Sequence, residues 1–598
     1  MDQRDKMRLA HRTVQYEGIP APSAIGMALF ESSGMRKLID ERCNFDPARR
    51  ILSPGMVVKA LIGPAFNIRN KYPLYLVNKF YSSAPTDRLF GPYVQKDDLY
   101  DNALGRGLDS LFGADLAGLF KDCSDLICTK FGFRSYVFHA DGTDISFYGV
   151  EPEDTGDGAA VPRHNGHPKD LRTELLQYEL QIMTDSNRII RYMKPYSGNV
   201  GDPIMDGETL DFIGTHFSEE ERARITVVAD CKLVTTGNLK RMEDLGLGFV
   251  SKCPETFVDH GHRHAVEAAN SGLMHPCSKD PGLRMSDFDL DIDYGGESHR
   301  LRFVAFRRED EVRRRIEGIR ADTKAVRKMG YVFLEKRKYR TEYDAIQDFK
   351  RIREDPDNPY RAKYRAVRRK EEIRLVGGDS HKKDWNPPKQ YREWWELEID
   401  YVFSEEKARA IAERESTVVL VTNLPRSCSD RGSYREGVTD ERVLDIYNQE
   451  YKVEQSFRLM KSGIGMNSIY LQTPSRENAM MFVICIAVLL SNIADAIFRR
   501  AEARLDGRQL TMYHLAHETQ TWIVAYSRSE NVLNVMGQDD AGTGSSNSRI
   551  CCRSIPSSFW ATWATESPCE ARGIHSRGYA EAVLRRSGIE VKTPTIHT

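Results

Sequence analysis

Apolar positions change their period twice along this chain. Between residues 22 and 130 they recur at helical intervals. Ser53-Pro54 supplies a cap and a first-turn proline for a helix through Ile62, and Pro73 starts another through Phe80. Asp97 to Phe112 and Asp115 to Phe131 read as a helical pair broken at Gly113, so residues 1–132 are expected to form an N-terminal helical domain, with DNA binding as one use for it. From Phe133 the apolar runs become continuous. Tyr136-Val-Phe-His-Ala-Asp141 reads as a strand buried on both faces. Glu174 to Met183 and Arg188 to Pro195 read as two more, joined by the turn-forming Thr184-Asp-Ser-Asn187. A helix at about Thr209 to Phe217, a strand Arg224 to Asp230, a helix Asn238 to Leu245 closed by Gly246 and a strand Phe249 to Lys252 complete the order β, β-hairpin, α, β, α, β over residues 133–252.

Residues 253–439 interrupt that core. Strand-like runs (His299 to Arg307, Trp394 to Phe403, Ser416 to Thr422) alternate there with Arg/Lys-rich helices (Glu309 to Met329, Tyr343 to Glu354), as in an inserted α+β domain. Helical period returns over residues 440–505. Asp445 to Lys461 reads as one helix, with Thr439 as its cap, Asp440 and Glu441 in its first turn, and Ile446, Val453, Phe457 and Met460 as its buried stripe. A closing helix follows at about residues 477–505. Residues 506–598 form a C-terminal extension expected to be largely irregular: past Gly537, Ser, Gly, Cys, Arg and the isolated Trp560 and Trp563 show neither period.

Composition adjusts this picture in three places. With 598 residues the chain exceeds one core, and 40% hydrophobic and 29% charged residues describe a soluble globular protein. The net charge of -1 conceals an asymmetry, because residues 301–380 carry 24 Lys+Arg against 15 Asp+Glu, a local +9 that leaves about -10 elsewhere. A basic surface of that kind suits DNA phosphates; helix faces interlaced with Glu and Asp are the plainer reading. The 11 cysteines form no CxxC pair and suit a reducing cytosol. Cys551, Cys552, Cys569 and His575 lack zinc-finger spacing. The N-terminus shows no signal-peptide run, and Ala479 to Leu490 is too short to span a bilayer and reads as a core helix. No GxxxxGK[ST] motif is present.

Three carboxylates stand out. Asp141 ends the first buried strand and Asp230 the fourth, and strand ends of an open α/β sheet are where sites are built. Glu454 lies on the helix that follows the insertion, in line with Tyr447, Arg458 and Lys461, because steps of seven and four residues return to one helix face. Each alone has a structural reading: a turn or cap for the aspartates, a salt-bridged amphipathic helix for the glutamate. Together, such carboxylates would repel unless divalent cations neutralised them. Oxygen ligands without His or Cys favour Mg²⁺ or Mn²⁺, and two such ions clamp the oxygens of a phosphoryl transfer. Asp144 is a rival to Asp141, but three residues on in a strand it faces the other side.

These residues resemble a family. Asp141-Gly-Thr143 is similar to the D-x-T of insertion-sequence transposases with a DDE triad, and the element order is that of their ribonuclease H-like core. His164-Asn-Gly-His-Pro-Lys-Asp-Leu-Arg172 resembles the family's basic loop, Gly198-Asn-Val-Gly-Asp202 its GN-x-x-D turn, and Val227-Val-Ala-Asp230 its second aspartate strand. Tyr447, Glu454 and Lys461 fall in register with the signature Y-x2-R-x3-E-x6-K; its Arg position is Glu450 here, and Arg458 is a substitute. The resemblance spans roughly residues 20 to 500. It implies a mixed α/β fold and metal-dependent cleavage and strand transfer at insertion-sequence ends. Asp141, Asp230 and Glu454 would hold two Mg²⁺ or Mn²⁺ ions. Tyr447, Lys461, Arg458, His164, His167, Lys169, Arg172, Trp394 and Trp395 would contact DNA, one tryptophan by stacking on an unpaired base. It further implies terminal inverted repeats and target DNA as partners, a homodimer on DNA, and a cytoplasmic, nucleoid-associated protein without a membrane. A structure-selective nuclease on the same fold and a DNA-binding protein with decayed catalysis are the alternatives.

Overall fold

The computed structural model describes residues 16–67, 72–147, 160–166, 175–254, 257, 266, 274–321, 331–352, 358–373, 389–426, 437–464, 471, 473–502, 504–505, 508–513, 522–527 and 532–537. The chain divides into two compact units. One comprises Met1–Ser251, Ser427–Gly437 and Asp445–Thr598; the other comprises Lys252–Arg426 and Val438–Leu444.

The first unit is built on a mixed sheet. Its strands are β2 (Val137–Phe147), β3 (Leu176–Asp185), β4 (Ile190–Ser197), β5 (Thr226–Ala229) and β6 (Gly248–Lys252), with β1 (Tyr16–Pro20) lying elsewhere. The lateral order is β4-β3-β2-β5-β6. The β2–β3 and β3–β4 pairs are antiparallel, and β2–β5 and β5–β6 are parallel. This is the ribonuclease H-like arrangement expected from the element order. The β3–β4 turn is made by Asp185, whose Oδ1 accepts from the backbone of Asn187 at 2.7 Å and Ile189 at 3.1 Å. Arg188 there takes a left-handed φ of 69°, an uncommon conformation for a side-chain-bearing residue.

The two sheet faces are covered by different helices. Directly opposed residues of an antiparallel pair share a face. Ile145 opposes Tyr178 and Thr143 opposes Leu180. Ile145, Tyr178, Leu180 and Ile182 share one buried cluster with Val453, Phe457 and the helix Pro474–Arg500. On the other face Gly142 opposes Gln181 beneath the helix Asp202–His216. A Cβ on Gly142 would stand 3.2 Å from the tip of the Met205 side chain, a tight contact that the absence of a side chain relieves where the helix lies close to the strand. That helix begins seven residues earlier than its apolar period suggests. Pro203 in the first turn starts it, and Gly207 and acidic positions blur its stripe.

The N-terminal helices do not stand apart. Ala21–Ser33, Pro54–Ala65, Asp101–Phe112 and Leu116–Phe131 belong to the same unit as the sheet. Phe30, Ile62, Leu108 and Phe120 share one cluster with Phe482, Ile486 and Leu489 of Pro474–Arg500. Each such side chain contributes about 1.5–3 kcal/mol when fully buried. The expected caps form: Ser53 accepts from Met56 N at 3.2 Å and Asp115 from Gly118 N at 3.1 Å. The helix Pro474–Arg500 is long and apolar enough to cross a membrane, but nearly all of its most apolar stretch is buried inside the unit. The extension also differs from its expected irregularity over residues 506–537. Trp522–Ser527 pairs antiparallel with β1 on one side and with Val532–Gly537 on the other. Strand-favouring residues such as Trp522, Ile523, Val524, Tyr526, Val532 and Val535 are the local reason. Trp560, Trp563 and the Cys551–His575 group lie outside the described residues.

In the second unit, β7 (His275–Pro276), β8 (Leu283–Tyr294), β9 (Glu297–Arg308) and β12 (Val418–Thr422) pair in the order β12-β9-β8-β7. The strands β10 (Tyr360–Ile373) and β11 (Gln390–Phe403) form a separate two-stranded ribbon. β8 alternates Phe288, Leu290, Ile292 and Tyr294 with Asp287, Asp289, Asp291 and Asp293, a strand period that the expected elements did not include. β10 alternates Tyr360, Ala362, Tyr364 and Ala366 with Arg361, Lys363 and Arg365 before charges fill both faces from Arg368 onward.

Candidate active site

The register of the central strands decides where the aspartates lie. β2 pairs with β5 at Val137–Thr226, Phe138–Val227 and His139–Val228. Carried two residues further, the same offset sets Asp141 beside Asp230, on strands about 4.8 Å apart. β5 ends at Ala229, so Asp230 follows its strand as expected. Asp141 does not end its own: β2 runs on to Phe147, because its pairing with β3 continues after the parallel neighbour stops. Asp141 Oδ1 accepts from Gly142 N at 2.8 Å. Asp230 caps the short helical turn Cys231–Leu233, its Oδ1 accepting from Lys232 N at 2.7 Å, while Ser251 Oγ donates to its carbonyl at 2.7 Å. These bonds bear out the cap reading of Asp230.

A third carboxylate, missed by sequence reasoning, stands with them. Asp206 is 5% exposed, on the inward face of the helix Asp202–His216, and accepts from Gln181 Nε2 at 3.1 Å. Burial, then the negative charges of Asp230 and Asp202, push its carboxyl up to about 8, with Asp141 adding to the effect. It therefore carries a proton at neutral pH. The signal available in the sequence was an acidic residue among Met205, Thr209, Leu210 and Ile213, the stripe that the helix buries.

Glu454 takes a different position. The helix predicted over Asp445–Lys461 is broken into Asp440–Tyr447, a 3₁₀ turn Asn448–Glu450, a second helix Tyr451–Arg458 and a π-helical stretch Leu459–Ile464. The break falls where seven residues separate the buried Ile446 from the buried Val453, so the intervening turn has no apolar anchor of its own. Thr439 caps the first segment as expected, accepting from Arg442 N at 3.2 Å. Val453, Ser456 and Phe457 form the buried side of the second helix, and Glu454 and Arg458 are exposed. Among the described residues, no three His, Cys, Asp or Glu side chains are grouped to hold a metal ion. The β2–β5 offset lines Asp141 up with Asp230, and Asp206 senses the charge of both, but neither Asp206 nor Glu454 completes a ready-made group with them. Asp141 and Asp230 still offer a divalent cation a fitting donor set, all hard oxygen.

The neighbours in the signature are engaged with protein groups. Tyr447 donates its hydroxyl to Glu450, the residue standing at the signature's Arg position; burial, then Glu450, then Asp230 raise its pKa. Lys461 Nζ lies 3.5 Å from Asp144 Oδ1, which is buried. Asp144, the rival of Asp141, is thus the carboxylate that pairs with the signature lysine. His164 is exposed and bridges to Gln177 through its backbone. His167, Lys169 and Arg172 lie outside the described residues.

Both tryptophans sit on the β10–β11 ribbon. Trp394 donates from Nε1 to Glu396 at 2.6 Å and is covered by Lys338 Nζ, 3.8 Å from its ring centroid. Trp395 exchanges backbone hydrogen bonds with Tyr339 and packs against the small cluster of Tyr331, Leu334 and Leu397. The ribbon's cations are matched across the strands: Arg369 with Glu396 and Glu398, Arg368 with Glu393, Arg365 with Glu398.

Residues 24–124 match the model of a domain of unknown function, DUF4277. No curated protein matches the chain. Among solved structures, a piggyBac transposase synaptic complex with hairpin DNA, studied by cryo-electron microscopy, is similar at a TM-score of 0.37 and 11% identity, covering 97% of this chain and 93% of that one.

Proposed function

We propose that this chain is a DDE-type DNA transposase, which cuts DNA at the ends of an insertion sequence and joins them to a target. The observation that supports the reading is the β2–β5 register of a ribonuclease H-like sheet, whose offset, carried two residues past the paired stretch, lines Asp141 on β2 up with Asp230 just after β5. Asp141, Asp230 and Glu454 would hold Mg²⁺ or Mn²⁺. Bound there, the ion supplies a water or 3′-hydroxyl nucleophile at neutral pH and neutralises charge on the phosphate. The chain's own groups place the DNA. Lys461 offers its ammonium beside β2, and exchanging Asp144 for a DNA phosphate costs it one ion pair of modest strength. Arg458, exposed on the Glu454 helix, stands in for the cation that Glu450 does not provide.

The test uses a duplex carrying the inverted repeats that flank the gene. Wild-type protein with Mg²⁺ is expected to release 3′-hydroxyl ends and join them to a second duplex. Asp141→Asn and Asp230→Asn should bind the duplex and fail to cut it, because they remove ligands and not phosphate contacts. Mg²⁺-dependent cutting by both variants would overturn the assignment. Cutting without joining by wild type would favour a structure-selective nuclease.

A further inference from the structure

The helix that carries Glu454 is fastened to the sheet by a small polar network at the β3–β4 turn. Asn492, on Pro474–Arg500, is 1% exposed. Its Nδ2 donates to the Arg188 carbonyl at 2.8 Å and to Ser456 Oγ at 3.2 Å. Ser456, fully buried, donates in turn to the Lys452 carbonyl at 3.3 Å, and Lys452 Nζ reaches the Ser186 carbonyl at 2.6 Å. One amide therefore ties together the turn, the closing helix and the helix Tyr451–Arg458.

The spacing gives this network a consequence for Glu454. Positions 452 and 456 are one helical turn apart and face the β3–β4 turn together. Glu454 lies midway between them, about 200° around the axis from each, so it projects from the opposite side. Whatever fixes the rotation of residues 452 and 456 fixes the direction of Glu454. The flanking backbone offers little restraint, since a 3₁₀ turn precedes this helix and a π-helical stretch follows it. Such irregular turns absorb rotation that a continuous helix would resist.

We infer that Asn492, acting through Ser456, is a positioning residue that sets the rotation of the Glu454 helix and so the direction in which Glu454 meets a divalent cation. This rests on the reading of Glu454 as a metal ligand. A buried amide hydrogen-bonding a turn of irregular geometry has a second use, to hold the fold, and the two uses separate in a double-mutant cycle.

The experiment measures Mn²⁺ binding calorimetrically on the full chain, with thermal melting alongside. Ser456→Ala removes the link to the helix and leaves the Asn492–turn bond; Asn492→Asp removes the donors at similar volume. Each should weaken Mn²⁺ binding about tenfold in the wild-type background and leave it unchanged in the Glu454→Gln background. A fold-holding role alone would lower the melting temperature equally in both backgrounds with no loss of Mn²⁺ affinity specific to Glu454, and that result overturns the inference. Should Asn492→Asp fail to fold, Ser456→Ala decides by the same criterion. If Glu454→Gln by itself leaves Mn²⁺ binding and DNA cutting intact, the ligand assignment fails, an outcome distinct from failure of the positioning role.

Discussion

The aspartate site and the β10–β11 ribbon use the same residue types to opposite ends. Along the ribbon, Glu393, Glu396 and Glu398 each face an arginine across the strands, so the charges cancel where they stand. At the end of β5, the groups acting on the buried Asp206 are the carboxylates of Asp230, Asp202 and Asp141 and the neutral amide of Gln181. Cancelled charge on an exposed ribbon describes a stable, wet surface. Like charge gathered at a sheet end describes a place built for a cation from outside.

The strongest challenge to that contrast is Asp230→Asn. Losing a metal ligand forfeits several kcal/mol of transition-state stabilisation, so end cutting should fall by on the order of 10³-fold. Equilibrium binding of the repeat duplex should stay near wild type. Cutting measured within tenfold of wild type would place the aspartates with the ribbon's structural charges.

The next effect concerns Glu450. Arg458→Ala should weaken binding of the repeat duplex by about 1–3 kcal/mol and lower the slope of affinity against salt by about one phosphate contact. Glu450→Arg should tighten binding or leave it unchanged, because it releases the Tyr447 hydroxyl and adds a cation. A salt series that shows no slope change for Arg458→Ala, with weaker binding by Glu450→Arg, would make Glu450 a structural partner of Tyr447 and nothing more.

Asp206 supplies a pH test in metal-free protein. Its folded pKa of about 8 stands above the unfolded value of an aspartate, so the folded state holds a proton that the unfolded chain has lost. Stability from this group is present at low pH and declines as pH rises from about 4 towards 8, by up to about 1.4 kcal/mol per pH unit. Asp206→Asn should flatten that part of the denaturation profile. An equal slope in both proteins would show that the carboxyl is ionised despite its neighbours.

The smallest effect belongs to the ribbon. Arg369→Ala removes half-exposed ion pairs to Glu396 and Glu398, and the melting temperature should stay within about 2 °C of wild type. A drop several times larger would mean that the ribbon's charges hold its fold.

The legible parts of this molecule were those in which local chemistry and packing agree. Continuous apolar runs named the core strands, and the parallel β2–β5 pair follows from the right-handed crossover expected between them. Asp185 and Asn187 anticipated the turn that they make. The signature helix was read as one piece because helical periodicity survives a short break: Tyr447 and Glu454 stay in phase across the 3₁₀ turn. Asp206 was invisible because its burial depends on Gly142 admitting a helix against the sheet, a contact between segments more than sixty residues apart. β10 carried a legible alternation over Tyr360–Ala366 that the charge count of the region drew attention away from, and only from Arg368 do charges occupy both faces.

The helix Pro474–Arg500 has one more consequence, for the order of events during synthesis. Ile19, Phe30, Ile62 and Leu108 near one end of the chain share their cluster with Phe482, Ile486 and Met512. A ribosome must therefore deliver some four hundred further residues before the apolar faces of the first helices meet the element that covers them. Contacts so distant along the chain slow folding and leave greasy surfaces waiting in the meantime. The waiting partner is itself apolar enough to be mistaken for a membrane segment as it emerges. This protein is accordingly expected to lean on chaperones while it is being made, and to aggregate when synthesis stops short of residue 474.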